Sequence, residues 1–131
     1  MIGLDTNVIV RFLLKDYPQQ WKSSDDLIQA CEKKQESVFI SNIVLCELVW
    51  VLQRSYRYPK AMIVTVLENI VFERGFEFEN RELVNEALEA FRNSKVDFSD
   101  CLIGIIHRHH GCRKTYSFDS ATHALSYFEK P

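Results

Sequence analysis

The sequence has no excess of either charge: 16 Lys and Arg stand against 18 Asp and Glu, a formal net charge of −2. A histone-like or tail-type nucleic-acid binder is strongly basic, so that class is excluded. A nucleic-acid enzyme is not, because the total says nothing of where the charges sit. No apolar run approaches the ~18–20 residues that span a bilayer, so no membrane segment is expected. Met1-Ile2-Gly3-Leu4-Asp5 has neither a basic stretch nor a long apolar one, and no secretory signal is expected. Cysteine is sparse and scattered, at Cys31, Cys46, Cys101 and Cys112. That spacing speaks against a disulfide framework and for reduced thiols in a cytoplasmic protein. Internal repeats, low-complexity tracts and linkers are missing too. What remains is a chain of 131 residues, 47% hydrophobic, expected to form one domain over 1–131 with a core of its own.

Turn and cap residues punctuate the apolar runs. Met1–Leu4 reads as a short strand ending near Asp5, with Asp5-Thr6-Asn7 capping a helix that runs to the break at Tyr17-Pro18. Trp21, Leu27, Ile28 and Cys31 mark an amphipathic helix. Val38-Phe39-Ile40 is β-prone and ends at the cap Ser41-Asn42, before a helix over Ile43 to about Ser55. Pro59 suits the first turn of the next helix. Phe76-Glu77-Phe78 alternates as a strand, Asn80 caps a helix carrying Leu83, Ala87 and Phe91, and Asp97 or Ser99 opens another that stops at Gly111. Thr115–Phe118 is a last β-prone run, ending at Asp119. Strands alternating with helices imply an α/β fold with a mainly parallel sheet.

Four carboxylates stand out. Asp5 and Asp119 each follow a strand, and function in parallel α/β sheets gathers at the carboxyl ends of strands; each also suits a plain helix cap. Glu47 is the only charge between Phe39 and Gln53, in a helix that reads as apolar all round and hence largely buried. A buried carboxylate needs an ion-pair partner, a proton or a metal. Asp97 and Asp100 both suit the start of the following helix, and Asp100 in its first turn projects from the same end of the sheet. Four acids brought together repel: two charges about 4 Å apart cost roughly 4 kcal/mol at an effective dielectric of ~20. A cation relieves this, and an all-oxygen donor set suits Mg²⁺ or Mn²⁺ rather than zinc. The chemistry that uses such a site is phosphodiester hydrolysis by metal-activated water.

These residues resemble the motifs of the PIN-domain ribonucleases, specifically the VapC-type toxins of toxin–antitoxin systems. The marks are Leu4-Asp5-Thr6-Asn7, Ser41-Asn42 ahead of Glu47, Asp97-Phe98-Ser99-Asp100-Cys101-Leu102-Ile103, and Ser117-Phe118-Asp119, in order across the whole chain. The resemblance implies a three-layer α/β/α sandwich with a mainly parallel sheet of four or five strands. It implies an Mg²⁺- or Mn²⁺-dependent endoribonuclease acting on RNA such as tRNA, a homodimer, and a small antitoxin protein as partner. It assigns Asp5, Glu47 and Asp100 to the metal, with Asp119 as the more variable fourth acid and Asp97 competing with Asp100. Thr6 and Ser117 match polar residues that support Asp5 or the metal's waters. The strand usual after the last acid is hard to see in Ala121–Phe128.

Basic residues group beside aromatics: Arg54, Arg57 and Lys60 bracket Tyr56 and Tyr58, while His107 and Arg108 lie late in the chain. Such groups hold phosphates and stack unpaired bases, or simply solvate helix ends. Cys101, His107, His109, His110 and Cys112 lack the pairwise spacing of structural zinc sites. Two other readings stay open: a catalytically silent PIN-like module that binds RNA or protein, and a phosphatase-like hydrolase with Asp5 as nucleophile.

Overall fold

A computed structural model describes residues 1–131. The order is β1 (Ile2–Gly3), α1 (Thr6–Leu14), α2 (Pro18–Lys33), β2 (Val38–Ile40), α3 (Asn42–Arg54), α4 (Lys60–Phe72), β3 (Phe76–Phe78), α5 (Arg81–Asn93), α6 (Phe98–His109), β4 (Thr115–Tyr116), a 3₁₀ helix (Ser120–Ala124) and β5 (Phe128–Glu129). The arrangement is α/β/α with small sheets. β1, β2 and β3 pair in parallel, Ile2 opposite Val38 and Val38 opposite Phe76. β4 and β5 form a separate parallel pair, Thr115 opposite Phe128. The five strands are thus divided three and two, with no ladder between the sets. β5 supplies the strand that was hard to see in the sequence; at two residues it is too short to leave an alternating pattern.

Local chemistry sets the helix starts. The Asp5 carboxylate accepts the Thr6 N–H, Ser41 Oγ accepts the Val44 N–H, and Asn80 Oδ1 accepts the Leu83 N–H, so each satisfies a donor that the first turn leaves without an intrahelical partner. Pro18 opens α2, where its missing N–H costs nothing. The Asn42 N–H at the start of α3 donates to Glu79 Oε2 at 2.6 Å, so a carboxylate just past β3 closes that end.

One core cluster joins the sheet to the helices, with Ile9, Ile40, Leu45, Leu48, Leu52, Leu67, Val84 and Leu102 among its members. The expectation that α3 is apolar and buried all round is corrected here. Leu45, Leu48 and Leu52 are buried, but Ile43 is 71% exposed, Trp50 is 54% exposed and Glu47 is exposed on the same face. Hydropathy alone did not tell which apolar face lacked a cover.

Gly104 lets α6 approach the chain end. A Cβ there would press into the rings of Tyr127 and Phe128. Gly104→Ala is expected to destabilise the fold by about 1–3 kcal/mol through overpacking, seen as a lower midpoint in thermal melting.

Candidate active site

The acids fall into two groups. In the first, the chain leaves β1 and turns into α1 at Asp5, which is exposed, with its Oδ1 fixed by the Thr6 N–H at 2.8 Å. Thr6 is buried, and its hydroxyl donates to Glu47 Oε2 at 2.5 Å across 41 residues of sequence. Thr6 therefore supports Glu47 with its side chain and meets Asp5 only through its backbone.

In the second group, Asp97 stands at the N-cap of α6 with an exposed carboxylate that makes no cap bond. Asp100 is half-buried in the first turn. Burial, and then the charges of Asp97 and Asp119, push its pKa above the ordinary carboxylate range. Asp119 caps the 3₁₀ helix through the Ala121 N–H, and its own N–H donates to Ser117 Oγ at 3.0 Å. Ser117 thus serves Asp119, and its carbonyl accepts a bond from His123 Nε2 at 2.9 Å.

Cys46 links the groups. It adjoins Glu47, and its thiol is pushed up to about 11 by burial and then by the charge of Asp100. None of Asp5, Glu47, Asp97, Asp100 and Asp119 forms an ion pair with Lys, Arg or His; the five ion pairs of the molecule lie elsewhere. The Arg partner that would account for Glu47 structurally is therefore not there. No three carboxylate, imidazole or thiol side chains converge tightly enough to make a ready ligand set. The donors are all oxygen, which fits Mg²⁺ or Mn²⁺ in kind, while the two groups have to draw closer to share one ion.

The family model of the PIN domain matches residues 2–126. The chain belongs to the PIN domain family. A VapC ribonuclease of Aquifex aeolicus (strain VF5) is 26% identical over 115 residues, covering 88% of this chain and 84% of that one. In this PIN domain no helix is long and apolar enough to cross a membrane.

Around the acids the PIN domain has a cavity of about 590 Å³ with Asp5, Thr6 and Glu47 in its wall, together with Asn7, Arg11, Tyr17 and Tyr56. Cavities of about 690 and 630 Å³ lie elsewhere and include none of the five carboxylates. Sequence reasoning took Tyr17 only as part of a helix break. In the fold the Arg11 guanidinium lies 4.0 Å from the centre of the Tyr17 ring and donates to Asp16 and to the Tyr56 hydroxyl. Tyr56 in turn donates to Asp16 Oδ2 at 2.5 Å. That bond first, and then Arg11, holds the Asp16 carboxyl below its usual range. No local pattern signals this network, since it joins the α1–α2 turn to the end of α3.

The basic residues are deployed unevenly. Arg54 is exposed and lies over the Trp50 ring at 5.5 Å. Arg57 is exposed in a left-handed backbone conformation, φ 52°. Lys60 is half-buried: its ammonium donates to the Ser94 carbonyl and lies 4.9 Å from the Phe91 ring. His107 Nδ1 is 3.0 Å from Thr115 Oγ1, and Arg108 lies over Tyr127 at 5.0 Å. Cys101 is buried, whereas His107, His109, His110 and Cys112 are exposed.

The raised pKa of Asp100 has a definite sign. Its proton is held more tightly in the folded chain than in the unfolded one. Its charge therefore carries a stability penalty above the folded pKa, relieved as pH falls toward the ordinary carboxylate value. In EDTA at pH 7, Asp100→Asn is expected to melt above the parent protein. The gap should close as pH falls through the Asp100 titration, as measured by calorimetry across pH.

Proposed function

We propose that this PIN domain, residues 1–131, is an Mg²⁺- or Mn²⁺-dependent endoribonuclease and the toxin member of a toxin–antitoxin pair. The observation that carries this reading is that five carboxylates, Asp5, Glu47, Asp97, Asp100 and Asp119, stand without a single cationic partner. The likeness to a VapC ribonuclease supports it. Asp5, Glu47, Asp100 and Asp119 would hold the metal, with Asp97 as the competitor of Asp100. The ion, when bound, supplies a water of lowered pKa and a positive charge for the phosphate oxygens.

The chain's own residues aim the donors. The Thr6 amide fixes Asp5 and the Thr6 hydroxyl fixes Glu47. The Ala121 amide and the Ser117 hydroxyl hold Asp119 and its backbone. Arg54, Arg57, His107 and Arg108 are exposed and would contact the RNA, tRNA being one candidate; Lys60, tied to Ser94, would contribute least. The partners on this reading are RNA, a small antitoxin protein and a second copy of the chain, in the cytoplasm.

The lack of a converged ligand trio favours one rival, a catalytically silent PIN-like module that binds RNA or protein. Incubation with total RNA separates the two. The nuclease gives discrete products with Mg²⁺ or Mn²⁺ and none in EDTA. Absence of metal-dependent products under every condition, with RNA binding retained, leaves the binding module.

A further inference from the structure

The cavity beside Asp5 and Glu47 is more than the mouth of a metal site. Its wall also includes Arg11, Tyr17 and Tyr56: Asp16 ties Arg11 to Tyr56, and the Arg11 guanidinium lies over the Tyr17 ring. Both hydrogen bonds from Arg11 to Asp16 and the one to Tyr56 leave from Nη1, and its Nε and Nη2 donate to no protein group. Tyr17 is 53% exposed, and its hydroxyl makes no hydrogen bond within the protein. The exposed Tyr17 ring offers the cavity a flat apolar surface, and the remaining Arg11 N–H groups stand at its wall.

Charge decides what enters. The wall carries the carboxylates of Asp5, Asp16 and Glu47 against the single guanidinium of Arg11. Without a cation on Asp5 and Glu47 that balance repels a phosphate, and it leaves an uncharged heterocycle unaffected. The cavity, at about 590 Å³, falls within the range of small-molecule sites. Asn7 and Ser55 add polar groups to the wall for the edge of a ring.

We infer that this cavity binds one unpaired nucleobase of the RNA, stacked on the Tyr17 face that Arg11 leaves uncovered and hydrogen-bonded by Asn7, beside the phosphate that is cut at Asp5 and Glu47. The inference rests on the nuclease reading for its substrate, and it makes Tyr17 a specificity-determining residue.

Titration of the full chain with free nucleosides, followed by amide chemical shifts, tests it without requiring turnover. Adenosine, guanosine, cytidine and uridine are the probes, with ribose 5-phosphate as the control that carries charge but no base. At least one nucleoside should shift the amides of Asn7, Arg11, Tyr17 and Tyr56, and ribose 5-phosphate should not. Tyr17→Ala should weaken that nucleoside about tenfold or more, as loss of one base–aromatic stack implies. Tyr17→Phe, which keeps the ring, should bind within about threefold of the parent. The inference is overturned by nucleosides that leave these amides unmoved, by ribose 5-phosphate binding as well as any nucleoside, or by Tyr17→Ala that is folded and binds like the parent. RNA that stays intact with every metal overturns the nuclease reading instead, and the nucleoside titration still decides what the cavity holds.

Discussion

Asp5→Asn should lose about a thousandfold of metal-dependent RNA cleavage while melting close to the parent protein. The two halves of that expectation come from different atoms of one side chain. Asp5 Oδ1 accepts the Thr6 N–H and starts α1, and an asparagine carbonyl caps a helix about as well as a carboxylate. The fold therefore survives. What asparagine does not supply is the negative charge, and removing one preorganised electrostatic group from an active site typically lowers kcat by about 10²–10³. The measurement pairs single-turnover cleavage of an RNA substrate in Mg²⁺ or Mn²⁺ with a thermal melt. Cleavage by pure Asp5→Asn protein at the parent's rate would remove Asp5 from the metal site.

Phe98→Ala should be the most damaging single truncation near the site, at about 3–5 kcal/mol. Phe98 is the largest of the fully buried side chains, only 1% exposed, and meets Phe91 edge to face with ring centres 5.9 Å apart. It sits between Asp97 and Asp100 and pins the first turn of α6 into the core. For a chain of this length, such a loss lowers the melting midpoint by about 10–20 °C. Phe98→Leu refills part of the cavity and should recover roughly half of the loss. A Phe98→Ala midpoint within a degree or two of the parent would mean that α6 is anchored by other contacts.

Much of this could be read along the chain because caps are local. Asp5, Ser41 and Asn80 announce their helices through atoms one to three residues away. Phe76-Glu77-Phe78 announces a strand with one covered face by alternation. The carboxylates could be singled out as residue types in an order, but their grouping could not. Thr6 meets Glu47 across 41 residues, and Ser117 turns to Asp119 rather than to Asp5. Hydropathy misjudged α3, because Ile43 and Trp50 look the same in sequence whether a neighbour covers them or not. The Arg11–Asp16–Tyr56 network was invisible for a related reason: each member has an ordinary local role, and only the fold brings α1 against the end of α3. β4 and β5, at two residues each, are held by their pairing and by the packing of Tyr127 and Phe128 on α6, with too few positions for a pattern.

The division of the strands into three and two also bears on how the acids are mounted. Asp5 hangs from one sheet and is tied to α3 through Thr6 and Glu47. Asp119 hangs from the other, whose β5 end rests on α6, the helix that carries Asp100, at Gly104. The acids are thus mounted on two separate arms, Asp5 and Glu47 on one and Asp97, Asp100 and Asp119 on the other. No backbone ladder joins the two arms, and α3 packs against α6 between them. On the nuclease reading, cation affinity in such a frame would include the work of drawing the two arms together. Packing residues between α3 and α6, away from any carboxylate, would then tune that affinity as well.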